Sequence, residues 1–290
     1  MKKLKYILSN SGKFHHFEVA KILHKRNQLS KIICGYPWFK VKNEKIPKNL
    51  VETQGIYNIL KYPIRNNSFF SKISENLNKL NKNNIDNITS NYIDKNNNVD
   101  VLLALAGVSF ESGLKMLEKK NIYICERSSA HIGYQNDLLV DEYKELRIEK
   151  KFVTNKYFIE REISEYENAD IILVPSTFAK NTFHKNYFNK IKVLGFGSDN
   201  ENFYPIKDIN KSDKYFDVLF IGQKSIRKGL HYLIRAFNKF KHPKKRLHII
   251  GSDTNDKHYF SNKLNQDDII IYGHVPLNKL NEIINKCHIF

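Results

Sequence analysis

The chain has 290 residues, of which 41% are hydrophobic and 12% aromatic, so it can build one large domain or two ordinary ones and disorder is not expected. The 48 Lys and Arg residues outnumber the 30 Asp and Glu residues, for a formal net charge of +18. This excess favours polyanionic partners such as nucleic acid, an anionic membrane surface or phosphorylated ligands, and lysines scattered by AT-rich coding explain it equally well.

The cysteines and the apolar runs limit the cellular setting. Cys34, Cys125 and Cys287 are far apart and form no Cys-x-x-Cys pair, which argues against a disulfide framework or a zinc site and predicts a reducing compartment. The apolar run near the N-terminus is too short for a signal peptide, and no stretch approaches the roughly 18 apolar residues of a membrane span. We expect a soluble, cytoplasmic protein.

Strands and helices alternate through the first 200 residues. In chain order the patterns predict strand 4–9, helix 16–26, strand 29–37, strand 99–107, helix 109–120, strand 121–126, a helical region at 137–168, strand 169–176, helix 177–188 and strand 190–197. Each strand is a continuous apolar run, which predicts a parallel sheet covered on both faces. Residues 76–98 are rich in Asn and Lys and are compatible with a weak helix pair or with a surface insertion.

A second domain is predicted after a polar stretch at 199–216. The alternation resumes with strand 217–222, helix 229–240, strand 246–251, strand 267–273 and helix 276–286, and residues 287–290 begin a fourth strand. We therefore predict an N-terminal doubly wound domain at 1–200, a linker at 201–216 and a partial second domain at 217–290.

The loop GQKSIRKG at 222–229 joins a predicted strand to a predicted helix. A helix N-terminus is already positive, so Lys224, Arg227 and Lys228 are unfavourable there unless an anion binds. Two or three charge-assisted hydrogen bonds of roughly 1.5–3 kcal/mol each would anchor a nucleotide diphosphate. The spacing is not that of a P-loop, and a solvated cationic turn is the alternative explanation.

The first loop, in SNSGKFHHFEVA at 9–20, places Gly12 directly after a strand. A glycine there permits a ligand to approach the backbone, and an ordinary turn glycine is the alternative. His15 and His16 are more typical of polar surface or helix-start positions than of catalysts.

The segment ERSSAHI at 126–132 follows the strand that ends in NIYICE. Ligands bind open α/β sheets at the carboxyl ends of the strands, which makes Glu126, Arg127 and His131 candidates for a site. A structural histidine is the alternative for His131.

With these residues identified, the chain resembles family-4 glycosyltransferases of the GT-B fold, over almost its whole length and least at 40–98. The stretches that carry the resemblance are SGKFHH, ERSSAHI, REISEYENADIILVPS (161–176), GFGSDNENFYP (195–205) and GQKSIRKGLHYLIRAF. The third of these is the most distinctive. The resemblance implies an α/β protein with two facing Rossmann-like domains of parallel sheets, the second incomplete.

The resemblance implies a retaining glycosyltransferase that moves a sugar from a nucleotide-diphosphate sugar to a glycan or lipid-linked acceptor, in cell-surface polysaccharide or glycolipid assembly. It also implies a metal-independent reaction without a cofactor. His131 would be the catalytic residue near the donor sugar, and Glu126, Arg127 and Gln223 would line the cleft. The residues implied for binding the donor diphosphate are Gly12, Lys224 and Lys228.

The chain departs from the family pattern in two places. Gln223 stands where the family often has Arg, and the sequence ends in NKCHIF, before the family's Glu-x7-Glu motif. We therefore expect a truncated chain with weak donor binding, and an inactive homologue that binds a membrane surface or a partner enzyme is the alternative function. Peripheral contact with an anionic inner membrane would gain about 1 kcal/mol per nearby cation. Nucleic-acid binding is not expected, because the basic residues are dispersed rather than striped.

Overall fold

The structure is a computed structural model that describes residues 3–64, 68–148 and 153–290. The chain divides into two compact units, one of which lies within residues 3–196 while the other is built from Gly197–Phe290. They are called unit 1 and unit 2 below. Among the residues that the structure describes, no helix combines the length and the apolar character that crossing a bilayer requires.

Unit 1 is built on a parallel sheet of seven strands in its described residues. The strands are β1 (Tyr6–Asn10), β2 (Leu29–Cys34), β3 (Val51–Thr53), β4 (Val101–Leu105), β5 (Ile122–Glu126), β6 (Ile171–Val174) and β7 (Ile191–Val193). Their spatial order is β3-β2-β1-β4-β5-β6-β7. Strand β1 is central, and Ile7 lies opposite Lys31 of β2 and Leu102 of β4.

Helices cover both faces of this sheet, as the continuous apolar strands predict. The helices are α1 (His16–Lys25), α2 (Trp38–Val41), α3 (Ile56–Lys61), α4 (Ser71–Lys95), α5 (Phe110–Glu118), α6 (Ile132–Glu145), α7 (Lys156–Asn168) and α8 (Thr177–Asn181). Neighbouring residues of a strand point to opposite faces. Ile7 and Leu8 belong to two different apolar clusters, and both side chains are completely buried, so each face of β1 lies in a core.

Helix α4 settles the assignment of the Asn- and Lys-rich stretch at 76–98. It is one helix of 25 residues rather than a weak helix pair or a surface insertion. Ile85 and Ile93 are completely buried in the core. The carboxylate of Asp86 accepts the backbone N–H groups of Glu111 (2.9 Å) and Ser112 (2.8 Å) at the start of α5. Polar residues thus act in packing here, which a search for apolar periodicity does not detect.

Two predicted helices are shorter than their patterns suggested. The region predicted at 137–168 forms α6 and α7, and its residues 149–152 lie outside the described residues. The helix predicted at 177–188 ends after α8 at Asn181, and Lys185–Tyr187 form a separate 3-10 turn. The side chain of Ser176 caps α8 by accepting the N–H of Ala179.

Unit 2 contains a smaller parallel sheet. Its elements are β8 (Phe216–Ile221), α9 (Leu230–Lys239), β9 (Lys245–Ile250), α10 (Lys257–Phe260), β10 (Ile269–Gly273) and α11 (Leu277–Lys286), and the strand order is β10-β9-β8. Ile289 forms a parallel bridge with Val218 in β8, and the N–H of Leu219 donates to its carbonyl at 2.9 Å. The predicted start of a fourth strand therefore corresponds to this bridge.

Candidate functional site

In unit 1, two histidines and a glutamate converge at the carboxyl ends of β1 and β5. Nε2 of His15 lies 2.6 Å from one carboxylate oxygen of Glu126, and Nε2 of His16 lies 3.4 Å from the other. Glu126 is the last residue of β5, whereas His15 is the N-cap of α1 and His16 its first residue. The Ser128 hydroxyl also donates to Glu126, at 3.0 Å. We call His15, His16 and Glu126 the histidine cluster.

Burial and charge set the protonation of the histidine cluster. His16 is completely buried, and burial lowers its pKa to about 4, so the ring is neutral at pH 7. Burial alone would raise the pKa of Glu126, but hydrogen bonding and charge from His15 and His16 lower it. His16 is a helix-start residue as expected, but the alternative of a polar surface position is wrong for it. Only the fold brings both rings to Glu126.

Gly12 is buried in the loop between β1 and α1. Its N–H donates to the side-chain oxygen of Asn10 at 3.2 Å. A Cβ built at Gly12 would lie 3.3 Å from the ring of Phe14, so an alanine would require that ring to shift by a few tenths of an ångström. The loop therefore holds the Gly12 backbone in a fixed position, and its predicted role in phosphate binding stays a prediction.

Arg127 lies inside unit 1 and uses its guanidinium for internal contacts. It donates to the carbonyl of Ala130 (2.8 Å), the carboxylate of Glu162 (2.9 Å) and the side-chain oxygen of Gln135 (3.3 Å). These contacts hold the segment 126–132 against α6 and α7. Arg127 thus positions this loop, whereas a role in contacting a ligand stays a prediction.

His131 is the N-cap of α6. Its Nδ1 accepts the N–H of Gly133 at 3.2 Å, so the neutral ring carries its proton on Nε2. The ring packs against Phe183 and Tyr166, with centroids 4.8 and 5.4 Å away. Burial lowers the pKa of His131, which favours this neutral form. A ligand at His131 would therefore meet an N–H donor rather than a base.

The most distinctive stretch of the sequence, 161–176, builds a buried ionic network. Glu165 is completely buried, and its carboxylate accepts the N–H groups of Gly107 and, at 2.9 Å, Ser109, which follow β4. Arg161 lies 3.3 Å from the same carboxylate. Burial raises the pKa of Glu165 to about 7, although Arg161 and the two N–H groups favour its ionised form.

Glu162 extends this network on the next part of α7. Its carboxylate accepts the hydroxyl of Tyr166 at 2.8 Å and the guanidinium of Arg127, and Lys82 of α4 lies 4.0 Å away. In the sequence analysis this stretch served only to identify the family resemblance, and its role in a buried ionic network was not predicted. The signal was available, since Glu162, Glu165 and Tyr166 share one helix face by their spacing of three and four residues.

In unit 2, the predicted diphosphate loop begins with a lysine that is held in place. Lys224 is 7% exposed, and its ammonium lies 2.8 Å from Oδ1 of Asp253. Its backbone N–H donates to Ser252 at 3.0 Å, and its carbonyl accepts the hydroxyl of Thr254 at 2.8 Å. Lys224 therefore serves the structure of the loop, and an anion there would share its ammonium with Asp253.

Two glycines allow the loop to pass close to the neighbouring strand end. A Cβ built at Gly251, where φ is +146°, would lie 1.9 Å from the carbonyl oxygen of Gly222, so only glycine fits. The N–H of Gly222 donates to Ile250 at 2.9 Å, and Asp256 accepts the N–H of Ile226 at 3.0 Å. This edge of the unit 2 sheet is thus fixed by backbone contacts.

Three other side chains of the loop face solvent, whereas Ser225 and Ile226 are buried. Gln223, Arg227 and Lys228 are exposed, and neither of the two cations forms an ion pair with any described residue. Burial and the charge of Arg227 lower the pKa of Lys228. Gly229 adopts a left-handed φ of +71° as the N-cap of α9, a helix of 10 residues. Two unpaired cations therefore lie just before a helix N-terminus.

The predicted site residues thus form two sets, each within its own unit. Glu126, Arg127 and His131 lie on one segment of unit 1 that begins at the end of β5. Gly12 follows β1, which is separated from β5 by β4. Gln223, Lys224 and Lys228 lie on one loop of unit 2. Which of these residues contact a ligand stays a prediction.

Comparison with known proteins adds a family match for part of the chain. Residues 202–290 match the sequence model of the family described as glycosyl transferases group 1. This segment is less than half of the chain and includes the loop at 222–229. No curated protein matches the chain in sequence.

Solved structures resemble nearly the whole chain at low identity. The HepE protein of Anabaena, in complex with UDP and glucose, is 12% identical, with a TM-score of 0.58 over 99% of this chain and 72% of that chain. Sucrose-phosphate synthase from Thermosynechococcus elongatus gives a TM-score of 0.59 at 12% identity, over 99% of this chain and 74% of that chain. The UDP-GlcNAc 2-epimerase of Neisseria meningitidis, bound to UDP-GlcNAc, gives 0.56 at 12% identity, over 98% and 76%.

Likeness at such low identity shows the fold alone. It confirms the predicted fold class, an α/β protein with Rossmann-like parallel sheets of GT-B type. The family match is confined to residues 202–290, which lie in unit 2.

Proposed function

We propose that the chain is a glycosyltransferase of family 4, which transfers a sugar from a nucleotide-diphosphate sugar to an acceptor hydroxyl with retention at the anomeric carbon. One observation carries the proposal. The segment that matches the glycosyltransferase family contains a loop whose exposed, unpaired cations precede a helix N-terminus at the carboxyl edge of a parallel sheet. Anionic ligands of α/β proteins bind at such places.

The donor diphosphate would be bound by Lys228, with Lys224 and the backbone of Gly12 as further contacts. Lys228 has no ion-pair partner among the described residues to give up, whereas Lys224 would have to share its ammonium with Asp253. The negative charge on the leaving phosphate increases in the transition state, so these cations would assist the reaction as well as binding. In this proposal they take the place of a divalent ion at the diphosphate, and no cofactor is required.

His131 would act as a hydrogen-bond donor near the donor sugar. Its Nδ1 is occupied by the cap of α6, which leaves the Nε2–H for a hydroxyl of the sugar. Because burial lowers its pKa, the ring stays neutral at pH 7 and would not change its charge when the donor binds. Glu126, Arg127 and Gln223 would complete the surroundings of the ligand.

The fold does not distinguish transfer from epimerisation, since the Neisseria epimerase resembles the chain about as well as the two other proteins. The family match at residues 202–290 favours transfer. For this reason we propose one reaction class.

The first test is calorimetric titration of the full chain with UDP and with GDP. UDP is included because solved structures of similar fold contain it. We expect one nucleotide to bind and the Lys228→Ala variant to bind it about tenfold more weakly, since a charge-assisted hydrogen bond is lost. Lys241→Ala is the matched control, because it removes one exposed lysine from the opposite edge of the unit 2 sheet. Equal affinities in both variants would contradict the diphosphate site.

Retention is tested on the sugar released when the chain hydrolyses UDP-glucose slowly in the absence of an acceptor. The donor has the α configuration, so α-glucose should be the first product in a proton NMR time course. A first product of β configuration would contradict retention while leaving sugar transfer itself intact.

We further propose that the acceptor is a glycan or a lipid-linked glycan of cell-surface polysaccharide or glycolipid assembly, reached by peripheral contact with an anionic membrane. The net charge of +18 supports such contact. Vesicles containing phosphatidylglycerol should bind the chain at low salt and release it at high salt. Vesicle binding combined with no nucleotide binding would instead support the alternative of an inactive binding module.

A further inference from the structure

We propose that the histidine cluster of unit 1 is a binding site for a zinc ion. The proposal concerns His15, His16 and Glu126, which the proposed sugar transfer does not use as a set. The three ligand atoms, one from each residue, lie within 4.8 Å of one another. They come from the start of α1 and the end of β5, so an ion would join two elements that are far apart in the sequence.

The distance between His16 and Glu126 suits a small tetrahedral ion. Zinc binds imidazole nitrogen and carboxylate oxygen at about 2.0–2.2 Å, which places two ligands of a tetrahedral site roughly 3.4 Å apart. Nε2 of His16 and Oε2 of Glu126 are 3.4 Å apart. Nε2 of His15 lies 2.6 Å from Oε1 of Glu126, a hydrogen-bond distance. Because the three ligand atoms lie up to 4.8 Å apart, the side chain of His15 would have to turn to bring its nitrogen to the same ion.

The second observation is a buried histidine without a hydrogen bond. His16 is completely buried, yet neither of its ring nitrogens makes a hydrogen bond in the described structure. Buried polar groups almost always have a partner, and a structural role alone does not explain this exception. An ion between His16 and Glu126 would bind Nε2 through its lone pair. It would also balance the carboxylate charge of Glu126, whose side chain is 6% exposed.

The type of ligand points to zinc rather than to a hard cation. Two imidazoles and one carboxylate form one of the known donor sets of three-ligand zinc sites, whereas calcium and magnesium prefer sites made only of oxygen. The side chain of His15 is 31% exposed, which leaves a path for the ion and a fourth position for water. The hydrogen bond from Ser128 to Glu126 would hold the carboxylate in its orientation.

The zinc site shares no ligand residue with the proposed diphosphate site, although Gly12, a proposed diphosphate contact, lies on the loop that leads to His15. Its ligands belong to unit 1, whereas Lys224 and Lys228 belong to unit 2. The proposed replacement of a divalent ion by lysines concerns the diphosphate only. The proposals of zinc binding and of nucleotide binding can therefore be contradicted separately. Each is tested by a binding measurement that does not require catalytic turnover.

The test begins with the full chain, freed of metal by chelation and then titrated with zinc chloride in a calorimeter. We expect one zinc ion per chain. Cobalt chloride should give the intense visible absorption bands of tetrahedral cobalt and lose them on addition of zinc. No zinc uptake, or cobalt bands typical of six oxygen ligands, would overturn the proposal.

Variants identify the ligands. Glu126→Gln keeps the shape of the side chain and His15→Gln changes a half-exposed one, so both should fold. Each should bind zinc at least about tenfold more weakly, because loss of even an outer partner of a ligand costs about 10–100-fold. His24→Gln, in the last turn of the same helix α1, is the matched control and should bind zinc like the parent chain. Unchanged affinity in Glu126→Gln and His15→Gln would assign the ion to another place and overturn the proposal.

Discussion

Charged side chains of unit 1 and of unit 2 lie in different environments. In α7 of unit 1, Arg161, Glu162 and Glu165 are buried or nearly so. Arg161 is paired with Glu165 and Asp86, Glu165 also accepts backbone N–H groups, and Glu162 is paired with Arg127. In the loop at 222–229 of unit 2, Arg227 and Lys228 are exposed and form no ion pair with the described residues.

This difference distinguishes charged groups that stabilise the fold from charged groups that can bind a ligand without breaking internal contacts. A buried, paired network can bind a ligand only by breaking contacts of its own, which is costly in a medium of low dielectric constant. An exposed and unpaired cation beside a helix N-terminus gives up only water when an anion arrives. Lys224 is intermediate between these two kinds of charge. It is buried and paired, but its partner Asp253 has a side chain that is 55% exposed.

The largest effect is expected from Glu165→Ala. The change would leave Arg161 without its buried partner and the N–H groups of Gly107 and Ser109 without an acceptor, at a cost of about 3–5 kcal/mol. Urea unfolding followed by the fluorescence of Trp38, the single tryptophan of the chain, measures the stability of unit 1. Glu167→Ala removes an exposed carboxylate from the same helix and should change stability by less than about 0.5 kcal/mol. Equal effects of the two changes would contradict a structural role of the network.

The next largest effect is expected in the pH dependence of the stability of unit 1. Burial lowers the pKa of His16 from 6.5 to about 4, so the unfolded chain binds a proton between these values and the folded chain does not. Stability is therefore complete above pH 6.5 and falls by about 3 kcal/mol as the pH decreases to about 4.

Glu165 acts in the opposite sense, because its raised pKa makes stability fall as the pH rises from 4.5 to about 7. The measurement is therefore the difference between the parent chain and His16→Gln in metal-free buffer. A difference that does not change with pH would show that the ring of His16 is not held neutral.

Gly251→Ala tests whether backbone geometry, rather than the cations, positions the loop of unit 2. The new Cβ would collide with the carbonyl oxygen of Gly222 at a φ that alanine rarely adopts, which costs about 1–3 kcal/mol. Hydrogen exchange at residues 222–229 should become faster. Gly197→Ala is the control, since a Cβ there would meet nothing within 4 Å. Unchanged exchange in Gly251→Ala would contradict the close approach.

The smallest effect on stability is expected within the loop itself. Lys224→Ala should destabilise unit 2 by about 1 kcal/mol, because its ion pair with the half-exposed Asp253 is lost. Lys228→Ala should change stability by less than about 0.5 kcal/mol while weakening nucleotide binding. Thermal unfolding with and without UDP separates the two effects. A stability loss in Lys228→Ala as large as that in Lys224→Ala would remove the distinction between structural and available cations.

Much of the fold could be predicted from local patterns. Continuous apolar runs located β1, β4 and β8 to within about two residues, because a strand buried on both faces has few polar positions. Helix α4 was not predicted as a single helix, because Asp86 and Thr89 are buried polar residues that interrupt its apolar stripe. The three residues of β3 are too few to give a pattern.

The candidate site was less predictable. Gly12, Lys224 and Lys228 were chosen because strand, glycine and cation follow one another in the sequence, and that order is visible without a structure. The contact of His15 and His16 with Glu126 joins residues about 110 positions apart in the chain, across the carboxyl edge of a sheet. A pattern within a short stretch of sequence cannot predict a contact between residues so far apart in the chain.

The sequence by itself determined where strands and helices alternate and which loops carry cations, because these properties depend on the composition of short stretches. Only the tertiary structure decided which charged groups are available. Burial and pairing depend on neighbours from distant segments, as with Lys224 beside Asp253 and Arg127 beside Glu162. Charged residues that follow strand ends are therefore internally paired in one unit and include exposed, unpaired cations among the described residues of the other.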